Sequence, residues 1–332
     1  MVRESGTAMS QTKISFLGIG LMGAPMAARL LDAGFSLTLW NRTPEKAQAL
    51  SDRARLAASP AEAVAEADVV ITMLENGTVV DQVLYQSGAI NQLRQGALVI
   101  DMSSIEPAMA RRHGTLVEAQ GGAYLDAPVS GGTRGAEAGT LSIMAGGGDE
   151  SFVRAAEVLQ PMGIVTHIGP VGSGQLAKLA NQAIVGITIG AVSEALLLAA
   201  RGGARPEKVR EALLGGFAGS KILEQHGERM LQRNFEPGAP ARIQLKDLRM
   251  ILDEARSEGL TLPLSQRVFE QYRALLASGN GEVDHSGLLL ELERLNGVRL
   301  GNADRNTDAT LCRQSFPAVH RVAVSGPLCR RC

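Results

Sequence analysis

Apolar and polar positions follow two different patterns along this chain. In the first half, short apolar runs recur at 14–17, 36–40, 69–73, 97–101, 124–128, 141–145 and 164–167. Runs this short, rich in Val, Ile and Leu, fit buried strands. Between them, helical spacing appears at 21–33, 44–50, 60–67, 79–85, 107–120 and 150–159. Pro44, Pro60 and Pro107 stand at first helical turns, where a missing N–H costs nothing. Thr43 and Ser59 precede two of them as N-caps. Apolar strands joined by helices predict a mainly parallel sheet covered on both faces, with ligands bound beyond the carboxyl ends of its strands.

After Gly174 the strand pattern stops. Helical spacing alone continues, at 175–200, 206–214, 220–232, 245–258, 263–278 and 285–296. The change falls at a breaker-rich link, Gly169-Pro170-Val171-Gly172-Ser173-Gly174. We therefore expect an α/β domain over 13–173 and an all-α domain over 174–300, joined by a long interdomain helix. Residues 183–200 are apolar over nearly a membrane-span length, but Ser193 and Glu194 interrupt them, so a buried central helix is expected. Residues 1–12 read as a flexible leader without the apolar stretch of a secretory signal, and 301–332 as a disordered tail.

Composition narrows the function. A net charge of −1 gives no bulk attraction to nucleic acid or to an anionic membrane, and 3% aromatics leave few platforms for stacking bases. Neither partner is expected. All three cysteines, Cys312, Cys329 and Cys332, lie in the tail. The body therefore holds no disulfide scaffold or cysteine metal site, which fits a reducing, cytoplasmic location.

The strongest motif is Gly18-Ile19-Gly20-Leu21-Met22-Gly23, between a strand and a helix. Gly18 permits the tight turn, Gly20 leaves room for a pyrophosphate, and Gly23 lets the helix lie close to the strand. The helix start offers unpaired N–H groups and partial positive charge to the phosphates. This predicts a Rossmann domain binding a dinucleotide. The second strand ends in Asn41-Arg42-Thr43, with no carboxylate to meet a ribose. Arg42 suits a 2′-phosphate, so NADP(H) is favoured and NAD(H) stays possible. The same arginine would also fit a solvated strand end.

Three further stretches carry polar groups into apolar surroundings. Asp126-Ala127-Pro128-Val129-Ser130-Gly131-Gly132 ends a strand with a hydroxyl and exposed N–H groups that suit an anion. In Gly172-Ser173-Gly174-Gln175-Leu176-Ala177-Lys178-Leu179-Ala180-Asn181, the lysine and asparagine share one helix face. Asn181 is placed to hold the Lys178 ammonium, which suits proton delivery to a carbonyl oxygen, although a snorkelling surface lysine fits the same residues. Lys246-Asp247 opens a helix in the second half.

Taken together, in this order and spacing, these motifs resemble the β-hydroxyacid dehydrogenases, the family related to 3-hydroxyisobutyrate dehydrogenase. The resemblance covers 13–296. It implies reversible oxidation of a 3-hydroxy acid by a nicotinamide cofactor. By motif it makes Lys178 and Asn181 catalytic, assigns Ser130, Gly131 and Gly132 to the substrate carboxylate, and has Asp247 steady Lys246. It places Leu74, Glu75, Ser104 and Lys246 along the cofactor, with Gly18, Ile19, Gly20, Leu21, Met22, Gly23, Asn41, Arg42 and Thr43. Residues 178–185, 215–220 and 284–286 look most like the branch that reduces 2-hydroxy-3-oxopropionate (tartronate semialdehyde). Branches acting on 3-hydroxyisobutyrate, glyoxylate or succinic semialdehyde share the catalytic parts. A homodimer or homotetramer is expected, because the helical domain needs its apolar faces covered. Glu75 stands where relatives usually carry proline, and Ala239 where many carry an aromatic. A nicotinamide-binding module without catalysis is the rival from another class, and retention of Lys178 and Asn181 speaks against it.

Overall fold

The computed structural model describes residues 12–301. The leader and the cysteine-bearing tail lie outside the described residues. The strands are β1 (Lys13–Leu17), β2 (Ser36–Trp40), β3 (Arg55–Leu56), β4 (Val69–Thr72), β5 (Leu98–Asp101), β6 (Ala123–Asp126), β7 (Val129–Ser130), β8 (Leu141–Gly146) and β9 (Gly163–Gly169). Between them run α1 (Gly23–Asp32), α2 (Glu45–Gln48), α3 (Pro60–Val64), α4 (Gly77–Val80), α5 (Pro107–Ala119), α6 (Gly132–Ala138) and α7 (Asp149–Leu159).

They form one sheet in the order β3-β2-β1-β4-β5-β6-β8-β7, with β9 paired to β8. The six strands from β3 to β6 are parallel, in the doubly wound order of a Rossmann fold. Strand order reverses between β1 and β4, which opens a crevice at their carboxyl ends. The far edge is mixed, because β8 runs antiparallel to both β6 and β7. β7 and α6 were not expected: two residues of strand and a glycine-led helix carry too little periodicity to register.

Alternation along the strands shows why the sheet is covered on both faces. Ile14 and Phe16, Val69 and Ile71, and Leu98 and Ile100 enter one core. Leu17, Val70 and Val99, one residue out of step, enter the other. Local signals also act as expected at α3, where Ser59 accepts from Glu62 N–H and Pro60 takes the first position. Thr43 does not cap: α2 starts at Glu45 with Pro44 before it, and Thr43 offers only its carbonyl, to Lys46 N–H. The helix expected at 79–85 begins earlier, at Gly77, because Asn76 accepts from Val79 N–H. It then relaxes into a π-helical stretch, Asp81–Gln86.

From Ser173 onward the structure is helical: α8 (Ser173–Arg201), α9 (Pro206–Leu214), α10 (Lys221–Gln232), α11 (Ala241–Ser257), α12 (Pro263–Ala277) and α13 (Leu288–Asn296). α8 is long and apolar enough to cross a membrane by composition. Here Leu179, Ile189, Val192, Leu196 and Leu197 form the centre of the helical core, with residues of α10, α11, α12 and α13 around them. α11 starts four residues before the predicted opening at Leu245. Pro240 precedes it and Ala241 N–H donates to Val283 O, so Lys246 and Asp247 lie in its second turn.

Candidate active site

The glycine turn follows β1. Gly18 has φ +107°, and a Cβ there would lie 2.3 Å from Met73 O, so both the turn and the close approach of β4 require glycine. A Cβ on Gly23 would lie 1.8 Å from Gly18 O, which explains why α1 can sit against the turn. Gly20 differs, since a Cβ there would meet nothing within 4 Å. No protein group needs that space; it lies open at the start of α1, where a pyrophosphate fits. Leu21 is exposed beside it and Met22 is half-buried.

Asn41 braces this turn from the end of β2. Its Oδ1 accepts from Ile19 N–H at 2.9 Å, and its Nδ2 donates to Thr43 O at 2.8 Å. Arg42 and Thr43 beyond it are exposed, and Arg42 makes no ion pair among the described residues. Leu74, after β4, donates its N–H to Ser103 Oγ at 3.0 Å and packs toward Gly18. These residues line the reversal point between β1 and β4, and they fit an NAD(P) dinucleotide.

A second group meets at the start of α8. Lys178 is buried at 9% exposure, which removes the snorkelling reading. Its Nζ donates to Val129 O at 2.7 Å and to Gln182 Oε1 at 3.2 Å. Asn181 does not hold the ammonium directly. Its Nδ2 donates to Gln182 Oε1 at 2.9 Å, and its Oδ1 accepts from Ser130 Oγ at 3.4 Å. Helix geometry is the reason: the residue four positions on from Lys178 lies over the same face as the one three positions on. Gln182 is the residue that sequence reasoning missed, and that spacing was the available signal.

Gln182 also turns toward the helical half, where its Nε2 donates to Asp247 Oδ2 at 2.6 Å. Asp247 Oδ1 stands 3.3 Å from Lys246 Nζ, the contact expected of a steadying carboxylate. Lys246 Nζ donates in turn to Ser104 O at 3.2 Å and Glu75 O at 3.5 Å. A continuous polar path therefore runs from Ser130 through Asn181, Gln182, Asp247 and Lys246 to the loops after β5 and β4. Arg242 adds an ion pair to Glu75 Oε1 at 3.1 Å. Gly131 and Gly132, at φ +136° and +62°, turn the chain exposed from β7 into α6. Among the described residues, Arg42 and Thr43 share no hydrogen bond or ion pair with this group.

Burial sets the electrostatics. It pushes the Lys178 ammonium pKa down, Asp247 works against that shift, and Lys246 adds to it. An ammonium eased toward its neutral form is a better proton donor. Behind the start of α11, Asp284 accepts from Gly238 N–H, Ala239 N–H, and both the N–H and hydroxyl of Ser286. His285 Nε2 lies 3.2 Å from His226 Nε2 beside it. Burial, with a smaller contribution from His226, lowers the His285 pKa to about 4.

Two family models match consecutive parts of the chain. The NAD binding domain of 6-phosphogluconate dehydrogenase matches 13–169, and the NAD-binding region of NADP-dependent 3-hydroxyisobutyrate dehydrogenase matches 172–292. The chain belongs to the 3-hydroxyisobutyrate dehydrogenase-related family. It is a β-hydroxyacid dehydrogenase, an NAD(P)-dependent oxidoreductase acting on CH–OH groups. This dehydrogenase is 41% identical to 2-hydroxy-3-oxopropionate reductase of Escherichia coli, over 87% of this chain and 99% of that protein. It is 40% identical to the probable 3-hydroxyisobutyrate dehydrogenase-like 1 of Arabidopsis thaliana, over 89% of each. The solved Mycobacterium tuberculosis 3-hydroxyisobutyrate dehydrogenase with L-serine superposes with a TM-score of 0.78 at 34% identity, covering 85% of this chain and 99% of that one.

Proposed function

We propose that this dehydrogenase reduces a short 3-oxo acid, 2-hydroxy-3-oxopropionate, to D-glycerate, with NADPH as preferred donor and NADH as second. The observation that carries the reading is the buried Lys178 ammonium, held at Val129 O beside the Ser130-Gly131-Gly132 turn. The extent and identity of the match to the Escherichia coli reductase support this substrate over others. A second reading, 3-hydroxyisobutyrate oxidation, is favoured by the Arabidopsis and Mycobacterium relatives.

A nicotinamide held along Gly18–Gly23 would supply the hydride for the carbonyl carbon. Ser130, Gly131 and Gly132 hold the substrate carboxylate. Lys178 delivers a proton to the carbonyl oxygen, and in the reverse direction its neutral amine accepts that proton. Gln182 and Asn181 fix the amine. Asp247 keeps Gln182 and Lys246 in place, and Lys246 closes over the Ser104 and Glu75 carbonyls. Gly18 to Gly23, with Asn41 behind them, carry the pyrophosphate; Arg42 and Thr43 take the adenosine end.

We take 13–173 as the cofactor domain and 174–300 as the domain that covers the substrate and excludes water. The enzyme acts in the cytoplasm as a homodimer or homotetramer; exposed Ile184 and Leu198 on α8 support burial against a second copy. The test is a panel of tartronate, methylmalonate and succinic semialdehydes and glyoxylate, each with NADH and NADPH. The highest kcat/KM for tartronate semialdehyde with NADPH is expected. A preference for methylmalonate semialdehyde would favour the second reading.

A further inference from the structure

The end of β6 carries a carboxylate that the proposed chemistry does not use. Asp126 is fully buried, and no ion pair to it is found among the described residues. Its two oxygens are taken by the start of α8: Gly172 N–H donates to Oδ1 at 2.7 Å, and Gln175 N–H donates to Oδ2 at 2.8 Å. α8 has no capping side chain of its own, because its N-cap is Gly172 at φ +92°. Gln175 is the third residue of the helix, the position whose N–H an N-cap side chain normally satisfies. A carboxylate from another element thus does the capping, with its negative charge at the positive end of a 29-residue helix.

The backbone is built to let it in. A Cβ on Gly174 would lie 2.3 Å from Met144 O and 2.8 Å from Asp126 Oδ2. A Cβ on Gly146 would lie 2.6 Å from Gly174 N and 2.7 Å from Asp126 Oδ1. Both glycines are therefore needed for β8 and α8 to close around this side chain. The segment that starts at Asp126 also ends on α8, since Val129 O accepts from Lys178 Nζ. One short stretch grips the helix twice, at the backbone of its first turn and at the amine one turn further on.

We propose that Asp126 is a positioning residue: by capping α8 from β6 it fixes where the Lys178 ammonium stands relative to the Ser130-Gly131-Gly132 turn. The inference rests on the proposed role of Lys178. It makes catalysis sensitive to the protonation of a group that never touches substrate. A carboxylate accepts both N–H groups, whereas a protonated carboxyl presents a hydroxyl where one N–H must be met. Burial raises the Asp126 pKa to about 6, against the pull of Gly172 and Gln175. The titratable groups facing it are Asp101 across the β5–β6 pair and Tyr124 on its own strand. Arg111 of α5 lies against Gly172 from outside. β8 brings Met144 and Gly146, and the first turn of α8 brings Ser173, Gly174 and Gln175.

The experiment compares wild type, Asp126→Asn and Lys178→Ala in kcat and KM between pH 5 and 8, with far-UV circular dichroism and NADPH affinity measured alongside. The wild type is expected to lose kcat on acidification through about pH 6 while remaining folded. Asp126→Asn is expected to lose ~10–100-fold in kcat, the scale of a misplaced catalytic group, with KM and NADPH affinity changed ~3-fold at most. Its acidic limb should disappear. Wild-type kcat in Asp126→Asn with the limb retained would overturn the proposal. If Asp126→Asn does not fold, the wild-type profile decides: a folded enzyme with flat kcat from pH 8 to 5 rules the proposal out. Lys178→Ala separates the two levels. Full activity there removes the proton-donor reading itself, whereas an inactive Lys178→Ala beside a fully active Asp126→Asn removes only the inference.

Discussion

Gly20 and Gly23 are three residues apart in one turn, and their missing side chains do opposite work. The space beside Gly20 belongs to no protein atom, whereas the space beside Gly23 is filled by Gly18.

Substitution should therefore separate binding from folding. Gly20→Val is expected to leave Tm within ~2 °C of wild type, as for a surface change, and to weaken NADPH binding ~10-fold or more. Gly23→Ala should lower Tm by many degrees through overpacking against Gly18. Thermal melts and nucleotide titrations check both. Equal Tm losses in the two variants would contradict the assignment of Gly20 to the dinucleotide.

On the proposed reading, Arg42 decides between NADPH and NADH. Charge-assisted bonds to a phosphate contribute about 1.5–3 kcal/mol each, so Arg42→Asp should weaken NADPH binding ~10–100-fold and spare NADH. The ratio of the two dissociation constants is the measurement. An unchanged ratio would remove Arg42 from the cofactor site.

The Glu75–Arg242 pair crosses from the loop after β4 to the first turn of α11. Both side chains are about half exposed, and such pairs contribute roughly 0.2–1 kcal/mol to stability. Glu75→Gln should leave Tm nearly unchanged. If the helical half covers the substrate as proposed, this pair helps hold it there, so substrate KM should rise ~2–5-fold in Glu75→Gln, on the scale of one such pair, and the wild-type KM should rise with salt. A KM insensitive to both would show that the pair does not hold the site closed.

His285 gives a pH effect of known sign. Its folded pKa, about 4, lies below its ordinary 6.5. The unfolded chain therefore takes up this proton first, and stability from the neutral ring is lost as pH falls from 6.5 toward 4. Asp126, raised from 3.8 to about 6, acts in the other direction: its contribution to stability grows as pH falls through about 6. His285→Gln should thus gain Tm relative to wild type on acidification across 6.5 to 4. Parallel Tm curves would contradict a buried neutral ring.

The outline of this enzyme could be read from its sequence where chemistry repeats at short spacing. The β1 turn, the alternating strands and Lys178 in an apolar helix are all visible in the residues themselves. What was not visible depends on distant segments meeting. Gln182 becomes the hub only because α11 brings Asp247 to it across 65 positions. Asp126 looks like a strand end until α8 is seen to start on it. Lys246 was expected at a helix opening because Pro240 is the one local mark of the earlier start and no side chain caps it; Val283, far along the chain, accepts the Ala241 N–H.

The proposed reduction depends above all on Lys178 as the proton donor. Its most direct test is the kcat of Lys178→Ala for tartronate semialdehyde reduction by NADPH, in protein shown to bind NADPH like wild type. General acid catalysis predicts a loss of ~10²–10⁴-fold. A kcat within a few-fold of wild type would contradict it.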